Sequence, residues 1–126
     1  MFHDSKAFSG FSVDDLAAAK DFYSQTLGLD VEDGAQGLML GIAGGNGVFV
    51  YPKDGHAPAT FTVLNFPVAD IDSAVGALAG RGVVFERYEG MTDDRGIARG
   101  LSAGRGPDIA WFRDPAGNIL SVLQQE

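Results

Sequence analysis

The sequence predicts an α+β protein made of two similar units, each running strand, helix and then three strands. Two observations predict it. The halves can be laid over one another: Phe11-Ser-Val-Asp-Asp-Leu16 matches Phe66-Pro-Val-Ala-Asp-Ile71, Gly28-Leu-Asp-Val-Glu32 matches Gly82-Val-Val-Phe-Glu86, and Gly45-Asn46 matches Gly117-Asn118. Each half also carries one stretch of helical period set among short stretches of strand-like alternation. Long-period repeats can mean solenoids, but those need three or more units. Two units predict a pseudo-symmetric pair sharing one curved sheet.

The elements follow in order. Residues 6–13 alternate in part, with Phe8, Gly10 and Ser12 on one face and Phe11 and Val13 on the other. Asp14 or Asp15 then caps a helix, satisfying free N–H groups at its positive end. Leu16, Ala19, Tyr23 and Leu27 recur at helical spacing, Phe22 widens the stripe, and Gly28 supplies a left-handed cap. Short strands are expected over 29–32, 38–43 and 48–51, separated by Gly-rich turns. After the polar connector 52–59 the pattern restarts with a strand over 60–67. Asp70 is the second cap, Ile71, Ala74, Val75 and Leu78 form the second stripe, and Gly82 closes it with Arg81 at the negative end. A strand is expected over 83–88. The last two strands flank Asp114-Pro-Ala-Gly-Asn118, where Pro115 presets a turn φ, Gly117 takes a positive one, and Asp114 and Asn118 can bond their own backbone. These boundaries give one domain over 1–126, with a first module at 6–51, the connector at 52–59 and a second module at 60–124. Residues 89–107 are the one long irregular stretch. With five glycines and Arg95, Arg99 and Arg105 it reads either as a lid that captures an anionic group or as a plainly mobile loop.

Composition excludes several classes. A chain of 126 residues can bury a respectable core, and its apolar runs are too short to span a bilayer. The first residues, Met1-Phe-His-Asp-Ser-Lys6, lack the basic-then-apolar pattern of a secretory signal, so a cytoplasmic protein is expected. No cysteine means no disulfide and no thiolate ligand. A formal net charge of -8 argues against nucleic acid or an anionic membrane as partner, since either needs a basic surface.

Candidate chemistry is sparse. Of the two histidines, His3 lies in the terminus and His56 in the connector, and both read as surface residues. Glu32 and Glu86 hold matching positions, but on strands read as sheet edges, where charge deters edge pairing. No Ser-His-Asp arrangement is evident. Gly44-Gly-Asn-Gly47 precedes a strand, not a helix, so it is a hairpin turn and not a phosphate cradle.

With these residues in hand, the chain resembles the vicinal oxygen chelate superfamily, which includes glyoxalase I, bleomycin-resistance proteins, fosfomycin-resistance enzymes and extradiol dioxygenases. The carriers are Val13-Asp-Asp-Leu16 with Phe22-Tyr23 and Leu27-Gly28-Leu29, then Val68-Ala-Asp-Ile71 with Arg81-Gly82-Val83, then Phe112-Arg-Asp-Pro-Ala-Gly-Asn118. They span nearly the whole chain. The implied fold is paired βαβββ modules whose curved mixed sheets surround a central cavity. Helices on one face of each sheet leave the other, concave face for a ligand.

The resemblance also implies where a divalent ion would sit, held by side chains from the first and last strand of each module. Counted from the motifs, those positions are Phe8, Phe49, Val63 and Ser121, and their neighbours offer no His or carboxylate. The expectation is therefore no metal, no cofactor and no assigned catalytic residue. By alternation, Phe8, Ser12, Phe49, Tyr51, Val63, Asn65 and Ser121 fall on the concave face. Trp111 joins them by its likeness to a substrate-facing aromatic in fosfomycin-resistance relatives, although hairpin counting could turn it to the helix side. The phenylalanines read equally as core. The reading is a small-molecule-binding protein of the bleomycin-resistance kind, with catalysis left open though not favoured, and a homodimer as two-module relatives commonly are. The alternatives are a metal-dependent lyase or dioxygenase with displaced ligands, and an interaction protein with a filled cavity.

Overall fold

In the computed structural model, which describes residues 1–126, the chain divides into two compact units, Met1–Pro58 and Ala59–Glu126. The first contains β1 (Ser9–Val13), α1 (Leu16–Asp21), β2 (Val31–Asp33), β3 (Leu38–Leu40) and β4 (Val48–Pro52). The second contains β5 (Thr62–Pro67), α2 (Ile71–Gly80), β6 (Ile97–Arg99), β7 (Asp108–Arg113) and β8 (Ile119–Gln124). The strands form two four-stranded sheets, ordered β1-β4-β3-β2 and β5-β8-β7-β6, in place of the single shared sheet expected. The fold is α+β, and the two sheets have one topology. In each, the first and last strands run parallel and the other pairs antiparallel.

Local chemistry builds the first unit. Asp15 caps α1 by accepting the Ala18 N–H at 3.1 Å. Beyond Asp21 the winding widens into a π-helical turn over Phe22–Thr26. Gly28, at φ +75°, ends it, and the Leu29 N–H reaches back to the Tyr23 carbonyl at 2.9 Å. This places Tyr23, fully buried, with its ring centroid 6.0 Å from Phe11 and 5.1 Å from Phe22. Phe11, Val13, Leu38, Leu40, Val48 and Val50 form the buried face of the sheet. Three strands are shifted or shortened from expectation. β1 starts at Ser9, so Phe8 precedes the ladder and is 61% exposed; β2 starts at Val31, and β3 stops at Leu40. Gly47, before β4, has to lack a side chain: at φ +87° a Cβ on it would lie 2.9 Å from the Leu40 carbonyl oxygen.

The second unit repeats the plan. Asp70 caps α2, accepting the Ser73 N–H at 3.2 Å and its hydroxyl at 3.1 Å, and Gly82 (φ +93°) follows the helix end. Ile71 and Val75 on α2, with Ile97, Ala110, Phe112, Leu120 and Val122 on the sheet, supply the buried apolar residues. The β7–β8 turn is tied by Asp114, whose carboxylate accepts the N–H groups of Ala116 (3.0 Å) and Asn118 (2.8 Å) and the Asn118 amide (3.1 Å).

Two expectations for this unit are overturned. The apolar run over 83–88 is not a ladder strand: it touches β7 through one bridge, Phe85 to Phe112, and through the Glu86 N–H on the Trp111 carbonyl at 2.8 Å. The fourth strand is β6, inside the stretch read as one irregular loop, and it pairs Ile97, Ala98 and Arg99 with Ala110, Ile109 and Asp108. One edge holds one ladder at a time. With β6 on the Asp108–Ala110 half of the β7 edge, only Phe85 and Glu86 reach the other half.

Two of the three arginines of that stretch are engaged within the chain. Arg95 donates to Asp72 of α2 at 2.8 Å, and Arg99 grips the same carboxylate at 2.7 and 3.0 Å while its Nε meets Asp93 at 3.2 Å. Arg105 is exposed. The Arg99 hydrogen bond, then the charges of Arg99 and Arg95, hold the Asp72 carboxyl below its usual range against a smaller push from burial. Burial pushes Asp93 up, but the Ile97 and Arg95 N–H groups and Arg99 outweigh it and the net shift is downward. Asp72 raises the Arg99 pKa in turn. Carboxyls depressed in the folded state stabilise it above their unfolded value and lose that contribution as pH falls through the folded one. Arg99→Met should therefore have a lower urea midpoint than the wild type at neutral pH. The difference should shrink once pH falls below the ordinary carboxyl value of 3.8. Equal midpoints at pH 7 would show that the network contributes nothing.

Candidate functional site

Each sheet has one face packed with apolar side chains and one that is not, and the open faces carry the same kind of equipment. In the first unit, register places Gly10 beside Phe49 and Ser12 beside Tyr51 on the parallel strands β1 and β4, with Met39 of β3 also opposite Phe49. Paired residues on neighbouring strands share a face. Phe49, Tyr51 and Ser12 therefore lie opposite buried Phe11, Val13, Val48 and Val50. The two rings stack, with centroids 5.6 Å apart and planes at 20°. Glycines make room for them. A Cβ on Gly37 would lie 3.0 Å from Phe49 Cε1 and 2.4 Å from the Val50 carbonyl oxygen, and one on Gly10 would lie 3.9 Å from Tyr51 Cε1.

His56 joins this face, against expectation. The turn after β4 folds back: the Lys53 N–H reaches the Val13 carbonyl at 3.0 Å and the His56 N–H reaches Lys53 at 3.1 Å, with Gly55 at φ +71°. Half-buried His56 thereby brings Nδ1 to 2.7 Å from Ser12 Oγ. The one sequence signal for this was Lys53-Asp-Gly55, a turn tripeptide straight after a strand. His3 is an exposed surface residue near Asp4.

In the second unit the corresponding row runs Asn65 of β5, Ser121 of β8 and Trp111 of β7. Register settles the direction of Trp111: it shares the face of Ser121, opposite buried Ala110 and Phe112. Ser121 is fully buried and its Oγ donates to Asn65 Oδ1 at 2.6 Å. Tyr88, which nothing in the sequence marked, meets Trp111 edge to face at 5.7 Å and 74°. Val63 is not placed by alternation, because a register shift between Thr62 and Leu64 leaves it without a ladder partner. Phe8 is just outside β1. Both open faces thus combine a pair of rings with a hydrogen-bonded polar pair: Phe49 and Tyr51 with Ser12 and His56 in one, Tyr88 and Trp111 with Asn65 and Ser121 in the other.

These donors do not fit a divalent ion. The positions where the motifs put metal ligands hold Phe8, Phe49, Val63 and Ser121. No three His, Cys, Asp or Glu side chains come together in a group that could hold a metal. Glu32 is exposed on β2 at the sheet edge, whereas Glu86 is half-buried and ion-paired with Arg113, so the two glutamates do not play matching parts. Elsewhere, a groove of about 580 Å³ beside α2 is floored by Val75, Ala79 and Val83, but Arg95 at its side is already engaged by Asp72.

Comparison with known proteins follows the fold. The family model described as the Glyoxalase/Bleomycin resistance protein/Dioxygenase superfamily matches residues 8–122. Among solved structures, the chain is similar to TnmS3, an antibiotic binding protein from Streptomyces sp. CB03234, with 24% identity, 98% of each chain covered and a TM-score of 0.68. It is similar to the fosfomycin resistance protein FosX from Listeria monocytogenes, at 14% identity over 95% of this chain and 92% of that one, with a TM-score of 0.72. It is also similar to the glyoxalase family protein from Enterococcus faecalis, at 21% identity over 98% and 99%, with a TM-score of 0.68. At these identities the likeness is one of fold. No curated protein matches the chain.

Proposed function

Since the chain belongs to the glyoxalase/bleomycin resistance protein/dioxygenase superfamily, we propose that it binds a small molecule without a metal ion and is not itself a catalyst. What supports this reading is that both open faces carry a ring pair beside a hydrogen-bonded polar pair, with no three His, Cys, Asp or Glu side chains grouped together. An aromatic or partly apolar ligand would lie against Phe49, Tyr51 or Trp111. Burying ring surface supplies the affinity, and a few fixed polar groups supply orientation. Asn65 and Ser121 take that second role. The net charge of -8 suits a neutral or cationic ligand. TnmS3, described as an antibiotic binding protein, is a precedent for such a use of this fold. The working assembly is a homodimer, which light scattering on a size-exclusion column checks; a monomer at all concentrations removes it.

The test has two arms. Elemental analysis of the purified protein after incubation with divalent ions should find no stoichiometric ion, and one held by native side chains would overturn the metal-free reading. Trp111→Ala should weaken binding of the neutral ring probe 1-aminoanthracene about tenfold or more, the scale set by losing one buried ring from a contact. Unchanged affinity would remove Trp111 from the site.

A further inference from the structure

The hydrogen bonds of the second open face leave one kind of polar group outward. A serine hydroxyl has one proton to give, and an asparagine amide has one acceptor oxygen and one NH2. Ser121, fully buried, spends its proton on Asn65 Oδ1 at 2.6 Å. The two are register partners on β5 and β8, so the backbone ladder fixes their pairing. Asn65 is exposed, and its Nδ2 has no hydrogen-bond partner within the chain. Reversing the amide would set NH2 against the hydroxyl and deprive the buried Ser121 proton of its acceptor.

The next residue in the row adds to the same imbalance. Trp111 is half-exposed and pairs with Ser121 across the β7–β8 ladder. Its indole N–H can only donate, and it too makes no hydrogen bond within the chain. This face therefore offers N–H groups beside an aromatic surface, while its amide oxygen is turned to Ser121 and already accepts one hydrogen bond there.

Building on the small-molecule reading above, we propose that Asn65, oriented by Ser121, and the Trp111 indole select a flat aromatic ligand whose edge carries carbonyl-type acceptor oxygens. A free carboxylate also accepts, but the acidic chain opposes it. Asn65 is the specificity-determining group, and Ser121 is a positioning residue that acts through it.

Xanthone and xanthene share one tricyclic skeleton and differ in a carbonyl against a methylene. Displacement of 1-aminoanthracene by each, in the same co-solvent, gives two affinities free of their own optical properties. Xanthone should bind about five- to tenfold tighter than xanthene, the range one net hydrogen bond supports. Asn65→Asp replaces the NH2 by a second acceptor oxygen and should bring the ratio to within about twofold of one. Ser121→Ala frees the amide to turn and should lower the ratio in the same direction, a readout that a purely structural effect on affinity would not move. A wild-type ratio near one, or a preference that survives Asn65→Asp, overturns the inference and leaves the binding reading standing. If 1-aminoanthracene itself binds without regard to Trp111, the failure lies in the binding reading.

Discussion

Phe112→Ala is expected to lower the unfolding free energy by about 3–5 kcal/mol, as deletion of a large buried ring does when the site cannot collapse. Phe112 is fully buried, pairs with Leu120 in the ladder, and meets Phe85 edge to face at 5.6 Å. Besides the transfer free energy of the ring, the substitution removes the side-chain contact at the Phe85–Phe112 bridge, one of the ties between the 83–88 segment and β7. Tyr88, at the end of that segment, meets Trp111 edge to face, so the open face should loosen with the core. Urea unfolding followed by circular dichroism measures the first effect. Phe112→Leu, which keeps most of the volume, should recover well over half of it. A loss below about 1 kcal/mol for Phe112→Ala would mean that the surrounding side chains close the void, and the stated role of this ring would be wrong.

Asp114→Ala should cost about 2–4 kcal/mol, although it removes only a small side chain, because hydrogen bonds to a charged group are worth more than neutral ones. Asp114 is 4% exposed and Asn118 is 2% exposed. Without the carboxylate, the N–H groups of Ala116 and Asn118 and the Asn118 amide all lose an acceptor in a place that water enters poorly. The Asn118 side-chain Oδ1 also accepts the Ala59 N–H at 3.4 Å, so the damage should reach the start of the second unit. Asp114→Asn keeps one acceptor and should cost about half as much. Amide hydrogen exchange at Asn118 should quicken in parallel. If both variants unfold at the wild-type midpoint, the turn is held by Pro115 and Gly117 alone.

What could be read in advance depended on how far each feature reaches along the chain. Asp15 and Asp70 were legible as caps, and Gly28 and Gly82 as helix ends, because a cap is decided by residues three or four positions away. The Asp114–Asn118 turn was legible for the same reason. The alternation that put Ser12, Phe49, Tyr51, Asn65 and Ser121 on one face or the other needed only a count by twos. That count failed at Val63, where one inserted residue shifts register, and at Phe8, where the ladder begins one residue later. The strand Ile97–Arg99 was missed because three residues between glycines carry too little pattern to stand out. The run over 83–88 was over-read because apolar content shows neither which edge is vacant nor which is already taken.

The sequence by itself determined the duplicated plan, the two helices with their caps and the closing hairpin, since each follows from residue type and near-neighbour spacing. Only the tertiary structure decided that Trp111 shares a face with Ser121, that His56 returns to Ser12, that Arg95 and Arg99 serve Asp72, and that the Asn65 amide shows its NH2. Those facts rest on which strand lies beside which, in what register. Pairings between residues 10 to 56 positions apart are set by packing and backbone ladders, which no local pattern encodes.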